Sequence, residues 1–168
     1  MRIRAVPLTE AAYAPFGDLV AAGDDARSEA ANQGTARKWA RLAKLENLRP
    51  GALANVSVFR PSPTPARPVP VRLLERHPSS TQLFVPMSAK RYLVVVAHGG
   101  ERPDVSTLAA FVASGTQAIT YRPGTWHHPL IALDAEAELV CVVWEDGTAG
   151  DCALCDLAAD EHALVDVP

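Results

Sequence analysis

The chain has 168 residues, 48% hydrophobic and 21% charged, which is enough apolar material for one core and excludes wholesale disorder. Sixteen basic against nineteen acidic residues leave a net charge of −3, so there is no excess of cations to neutralise the phosphates of a nucleic acid. Fourteen prolines, against roughly 5% in an average protein, argue against a helix bundle.

In chain order, Leu8 to Tyr13 reads as a short helix with Thr9 as N-cap, ended by Pro15 and Gly17. Residues 22–36 are small, polar and glycine-containing, and read as a loop. Ala52 to Arg60 alternates as a strand, and five prolines between Pro61 and Pro70 then keep the chain extended and stiff. Val71 to Arg76 resumes a strand, and Pro78-Ser79-Ser80-Thr81 turns it. Leu83 to Pro86 and Tyr92 to Ala97 are further strands, split by Met87-Ser88-Ala89-Lys90. His98-Gly99-Gly100 turns the chain again. Ser106 to Val112 reads as a second short helix, with Ser106 as N-cap and Gly115 beyond its end. Gln117–Arg122, His128–Leu133 and Leu139–Trp144 are strands separated by Pro123-Gly124 and by Asp134 to Glu138, and the acidic tail is irregular. Many short strands with Pro/Gly turns predict a single all-β domain over 1–168, a sandwich or small barrel with a few peripheral helices. The mouth of such a barrel is a place for a small molecule.

Chemistry concentrates in two segments. In Glu75-Arg76-His77-Pro78-Ser79-Ser80-Thr81-Gln82, Glu75 and His77 are two apart and share a strand face. The turn after His77 can return Gln82 beside them on the next strand. In Arg122-Pro123-Gly124-Thr125-Trp126-His127-His128-Pro129, adjacent histidines face opposite ways, so only one enters a barrel interior. Cys152-x-x-Cys155 has no second pair to complete a zinc site and reads as ordinary thiols.

The two segments resemble the cupin motifs. Glu75-x-His77, four residues, Gln82, six residues, Ala89 is similar to the first motif, His-x-His…Glu…Gly, with three positions changed. Gly124-Thr125-Trp126-His127 resembles the Gly-x-x-His of the second, with Arg122 at its proline position. More narrowly, Glu75-Arg76-His77-Pro78…Gln82-x-Phe84-x-Pro86, followed about forty residues on by Gly124-x-Trp126-His127-His128-Pro129-Leu130, resembles the ureidoglycolate lyase (hydrolase) family. Pro7-Leu8-Thr9, Phe16-Gly17-Asp18, Asn32-Gln33-Gly34-Thr35-Ala36-Arg37 and Asp104-x-Ser106-Thr107-Leu108 add to the likeness, which covers residues 6–152. The chain departs from the family pattern at Lys38-Trp39 (Arg-Tyr), Ala89 (Gly) and Glu145-Asp146 (Asp-Arg).

The resemblance implies a cupin-like double-stranded β-barrel, or jelly-roll. It implies cleavage of (S)-ureidoglycolate to glyoxylate and urea in allantoin (purine) breakdown, and a homodimer. Glu75, His77, Gln82 and His127 would form the catalytic ring. They would also be the donors for a divalent ion, nickel by family expectation, with no organic cofactor. Arg60 is the candidate for the substrate carboxylate, Asn32 and Lys38 would close over the ligand, and Trp126 would wall it. Two other functions fit the same barrel: another metal-dependent cupin oxygenase or isomerase acting on a small acid, and a non-catalytic small-ligand carrier. An odd number of cysteines and the lack of a signal-peptide pattern lead to an expectation of a cytoplasmic protein. No stretch reaches the ~20 apolar residues of a membrane span.

Overall fold

The computed structural model describes residues 1–168. Strands β1 (Arg2–Arg4) and β2 (Val6–Pro7) precede helix α1 (Glu10–Tyr13), and β3 (Leu19–Val20) follows it. A hairpin of β4 (Glu29–Ala31) and β5 (Ala36–Lys38) comes next, then β6 (Leu53–Phe59), β7 (Val69–Val71) and β8 (Leu73–Arg76). The centre of the chain holds β9 (Gln82–Ser88), β10 (Arg91–Ala97), β11 (Ala109–Ser114) and β12 (Ala118–Tyr121). The last strands are β13 (Trp126–His127), β14 (Ile131–Ala132), β15 (Glu138–Glu145), β16 (Ala153–Asp156) and β17 (Ala163–Asp166).

Two large sheets face each other as a jelly-roll. One runs β16-β8-β13-β10-β11-β2, with β14 also on β10, and the other runs β3-β12-β9-β15-β6. A smaller sheet, β1-β17-β7, covers the back of the first. Strand β10 explains the three layers: Tyr92, Val94 and Val96 enter the core between the large sheets, while Leu93, Val95 and Ala97 enter the core beneath the small one. A strand buried on both faces is a continuous apolar run, which is how Tyr92 to Ala97 reads.

Helix α1 forms where expected, and the Thr9 hydroxyl accepts the Ala12 N–H at 3.3 Å. The second expected helix does not form. A 3-10 turn spans Val105–Thr107, capped by Asp104, and the chain then enters β11. The central layer decides this, because β11 pairs with β10 over six positions and both its faces find apolar neighbours. Pro129 ends β13 early and splits the expected His128–Leu133 strand. The tail, expected to be irregular, supplies β16 and β17, which pair with β8 and β7.

Strand β6 is an edge and leaves one side of the jelly-roll open. Opposed residues of neighbouring strands share a face, so the register puts Asn55, Ser57 and Phe59 on the inner face with Val143, Cys141 and Leu139. The β15 residues of that row are buried, whereas Asn55 and Phe59 are exposed and Ser57 is half-buried. The inner face beside β6 is therefore a cleft reached from solvent.

Candidate functional site

The two sequence segments meet in this cleft. Strand register sets Glu75 of β8 opposite His127 of β13. His77 follows the end of β8 on the same face as Glu75. One donor atom each from Glu75, His77 and His127 lies within 4.8 Å of the others. Gln82 opens β9 beside Tyr121 in register, is buried, and leaves its Oε1 without a hydrogen-bond partner.

Both imidazoles are held by backbone. His77 Nδ1 donates to the Asp151 carbonyl and His127 Nδ1 to the Thr125 carbonyl, each at 2.9 Å. That leaves the Nε2 of each as the bare, basic nitrogen. His127 Nε2 is buried, has no hydrogen-bond partner and stands 3.5 Å from Glu75 Oε1. The His127 ring lies between two others: Tyr121 stacks on it at 3.9 Å and 9°, and His77 lies 5.8 Å away at 18°. An orphaned buried Nε2, a second bare Nε2 and a carboxylate turned to a common point are a donor set that fits an imidazole-preferring divalent ion.

Electrostatics favour the ligating forms of Glu75 and His77. Burial holds the His77 imidazolium below the ordinary histidine value, and the neighbouring His127 adds to the effect. Burial pushes the Glu75 carboxyl up, but the histidines around it, His127 first and then His77 and His128, outweigh this and leave it below the usual glutamate value. Near neutral pH, Glu75 is an anion and His77 is neutral. Burial raises Tyr121 well above the ordinary phenol value and the Cys141 thiol to about 11, so both stay protonated.

A cavity of about 180 Å³ opens directly on Glu75 and His127, walled by Phe59, Phe84, Pro129 and Leu130, with Arg60 at its margin. The Glu138 carboxylate bonds Arg60 Nε and Nη2, leaving Nη1 without an intramolecular partner. The other expected binding residues lie elsewhere. Trp126 alternates to the opposite face of β13. There it is buried in the core beneath the small sheet, with the Arg76 guanidinium 4.8 Å over its ring, so it is no wall of this cavity. Asn32 and Lys38 are exposed on the β4–β5 hairpin, which pairs only with itself, and Lys38 binds Glu29 at 3.2 Å. They do not line the cavity within this chain.

Tyr121 and Glu145 were not apparent as site residues in the sequence. Glu145 has the parity of Leu139, Cys141 and Val143 and so faces the cleft, where it accepts a 2.6 Å hydrogen bond from Asn55 Nδ2. That alternation was the available signal. Asp146, at the position where the resemblance has arginine, lies 3.1 Å from Arg49 Nη1. A larger cavity, about 580 Å³, lies away from these residues, between the early segment (Arg27, Trp39, Leu42) and the sheet (Val112, Ser114, Gln117).

The family described as Ureidoglycolate lyase matches residues 1–165. A protein of Burkholderia cepacia named ureidoglycolate lyase is 45% identical over 142 residues, covering 83% of this chain and 78% of its own. One of Pseudomonas syringae pv. tomato with the same name is 35% identical over 156 residues, covering 93% and 86%. Among solved structures, a dTDP sugar isomerase from Desulfovibrio desulfuricans G20 aligns over 80% of this chain and 83% of its own, at 18% identity and a TM-score of 0.49. Matched over nearly its whole length, with the histidines and carboxylate of both motifs gathered in one cleft, the chain belongs to the ureidoglycolate lyase family.

Proposed function

We propose that residues 1–168 act as one catalytic unit that cleaves (S)-ureidoglycolate to glyoxylate and urea, a step of allantoin breakdown. The observation that carries this reading is the convergence of two backbone-anchored imidazoles and an ionised carboxylate, of which Glu75 and His127 open on a cavity sized for a small acid.

The reaction is an elimination. A base removes the carbinol hydroxyl proton, the electrons form the aldehyde carbonyl, and the C–N bond breaks as the urea nitrogen takes up a proton. Glu75, anionic at neutral pH, is suited to take the hydroxyl proton and return it to the leaving nitrogen. Nη1 of Arg60, free at the cavity margin, is suited to the substrate carboxylate. His77 and His127 hold position through their backbone bonds, and Gln82 offers its unpartnered Oε1 to an N–H of the ureido group. Glu75, His77 and His127 would hold the divalent ion, with Gln82 beside them, and nickel is the family expectation. When bound, such an ion supplies charge that lowers the hydroxyl pKa.

The test is release of urea and glyoxylate from (S)-ureidoglycolate, corrected for spontaneous decay, with and without chelator. Product formation above the blank is expected, and formation equal to the blank would refute the lyase reading. Activity that survives a chelator would refute only the need for metal.

The reading extends to a homodimer. The outer face of the β9-β15-β6 sheet is apolar and bare: Val56, Val58, Val85 and Met87 are exposed, and Val140 and Val142 lie between them in register. Uncovered apolar faces of this kind mark association surfaces. Val56, 67% exposed, sits on the edge strand whose other face lines the cleft. Val56→Asp is expected to give monomers by light scattering, and a persistent dimer would move the seam elsewhere. The three cysteines are free, which suits a reducing compartment such as the cytoplasm. No helix is long and apolar enough to cross a membrane.

A further inference from the structure

The two imidazoles are anchored differently. His127 donates to the carbonyl two residues before it, so its anchor is part of its own turn. His77 donates to the carbonyl of Asp151, 74 residues away, on the loop joining β15 to β16. Something must hold that loop still for the bond to orient the ring.

The loop is first curled by its own side chains. Asp151 Oδ1 accepts the Asp146 N–H at 3.0 Å, and Oδ2 accepts the Gly147 N–H at 2.8 Å. Asp146 Oδ1 accepts the Thr148 N–H and hydroxyl at 3.0 and 2.6 Å. Gly147 takes a φ of 80°, which suits glycine, and makes the sharp turn affordable. Two carboxylates are thereby brought close together, which is unfavourable without a cation.

Arg49 supplies that cation from the segment ahead of β6. Nη1 lies 3.1 Å from Asp146 Oδ2 and donates to Thr148 Oγ1 at 3.2 Å, while Nη2 bonds Asp151 Oδ1. The Arg49 and Asp151 side chains are only 22% and 12% exposed. Ion pairs so shielded are screened less by water and salt than surface pairs. The clamped Asp151 side chain and the carbonyl that meets His77 belong to one residue.

We propose that Arg49 is a positioning residue for His77. By clasping Asp146 and Asp151 it fixes the Asp151 carbonyl, which holds His77 as the Nδ1–H tautomer with Nε2 turned toward Glu75 and His127. Partners behind a metal-ligating histidine act in this way, and their loss commonly costs ~10–100-fold in metal affinity. The inference rests on the site reading above, but its test does not use ureidoglycolate. A chain that fails the lyase assay yet shows the effect would lose the lyase reading and keep the clamp.

The experiment uses the full chain labelled with ¹⁵N-histidine, without metal for NMR, and Ni²⁺ alone as the calorimetric probe. In Arg49→Met the hydrogen-bonded Nδ1–H resonance of His77 is expected to broaden or vanish while that of His127 persists. Ni²⁺ affinity is expected to fall ~10–100-fold, and Arg49→Lys, which keeps the charge, should return part of both. Two unchanged resonances with unchanged Ni²⁺ affinity would overturn the proposal. Equal loss of both resonances would overturn it too, since that is general loosening of the site. Should Arg49→Met fail to fold, Asp151→Asn keeps the carbonyl, weakens the clamp and is judged by the same two resonances.

Discussion

Glu75→Gln is expected to slow glyoxylate release from (S)-ureidoglycolate by about 10²–10⁴-fold, the usual contribution of a positioned acid–base group. The amide has nearly the same shape as the carboxylate but cannot take the hydroxyl proton. Glu75 is half-buried on β8, between β16 and β13, and its Oε1 stands 3.5 Å from His127 Nε2 in the cleft. Replacing the anion removes a partial desolvation cost, and the amide NH2 can donate to the bare His127 Nε2, so the folded state should survive, as far-UV circular dichroism would show. The amide is also a poorer metal donor, so rates are compared at saturating Ni²⁺. A loss smaller than about tenfold under those conditions would remove Glu75 as the base.

His127→Ala is expected to have the second large effect. Ni²⁺ affinity by calorimetry should fall at least ~100-fold, the upper end of what even indirect partners of a ligand contribute, and turnover should fall to the spontaneous rate. The ring is 1% exposed, stacks on Tyr121 and satisfies the Thr125 carbonyl. Truncation therefore also costs stability, about 1–3 kcal/mol by the ordinary range for buried sites, measurable in urea. His128→Ala is the matched control. His128 donates Nδ1–H to the Pro129 carbonyl instead, and its removal should leave Ni²⁺ affinity unchanged. Equal effects of the two substitutions would contradict the assignment of His127 as the inward-facing residue.

Much of this site could be read from residue spacing, because the strand period of two is a strict geometric rule. It paired Glu75 with His77, admitted only one of two adjacent histidines, and let the turn through Pro78 bring Gln82 back. The same rule, applied to Trp126, puts it on the face opposite His127, where the structure has it. Glu145 was equally accessible by counting from Leu139. What the sequence could not carry is non-local. The Ser106–Val112 segment has an N-cap and a trailing glycine, local features of a helix, but pairing with β10 outweighs them. β16 and β17 were missed because each is short and finds its partners, β8 and β7, far back in the chain. The Arg49 clamp joins residues about a hundred positions apart through a loop, where no periodicity applies.

A crystal structure of the Ni²⁺-loaded chain with glyoxylate bears most directly on whether catalysis occurs in this cleft. Metal is expected on Glu75, His77 and His127, with glyoxylate beside it in the cavity bounded by Phe59, Phe84 and Leu130. Glyoxylate found only in the larger groove between Trp39 and the sheet, with neither ion nor product at the two imidazoles, would contradict it.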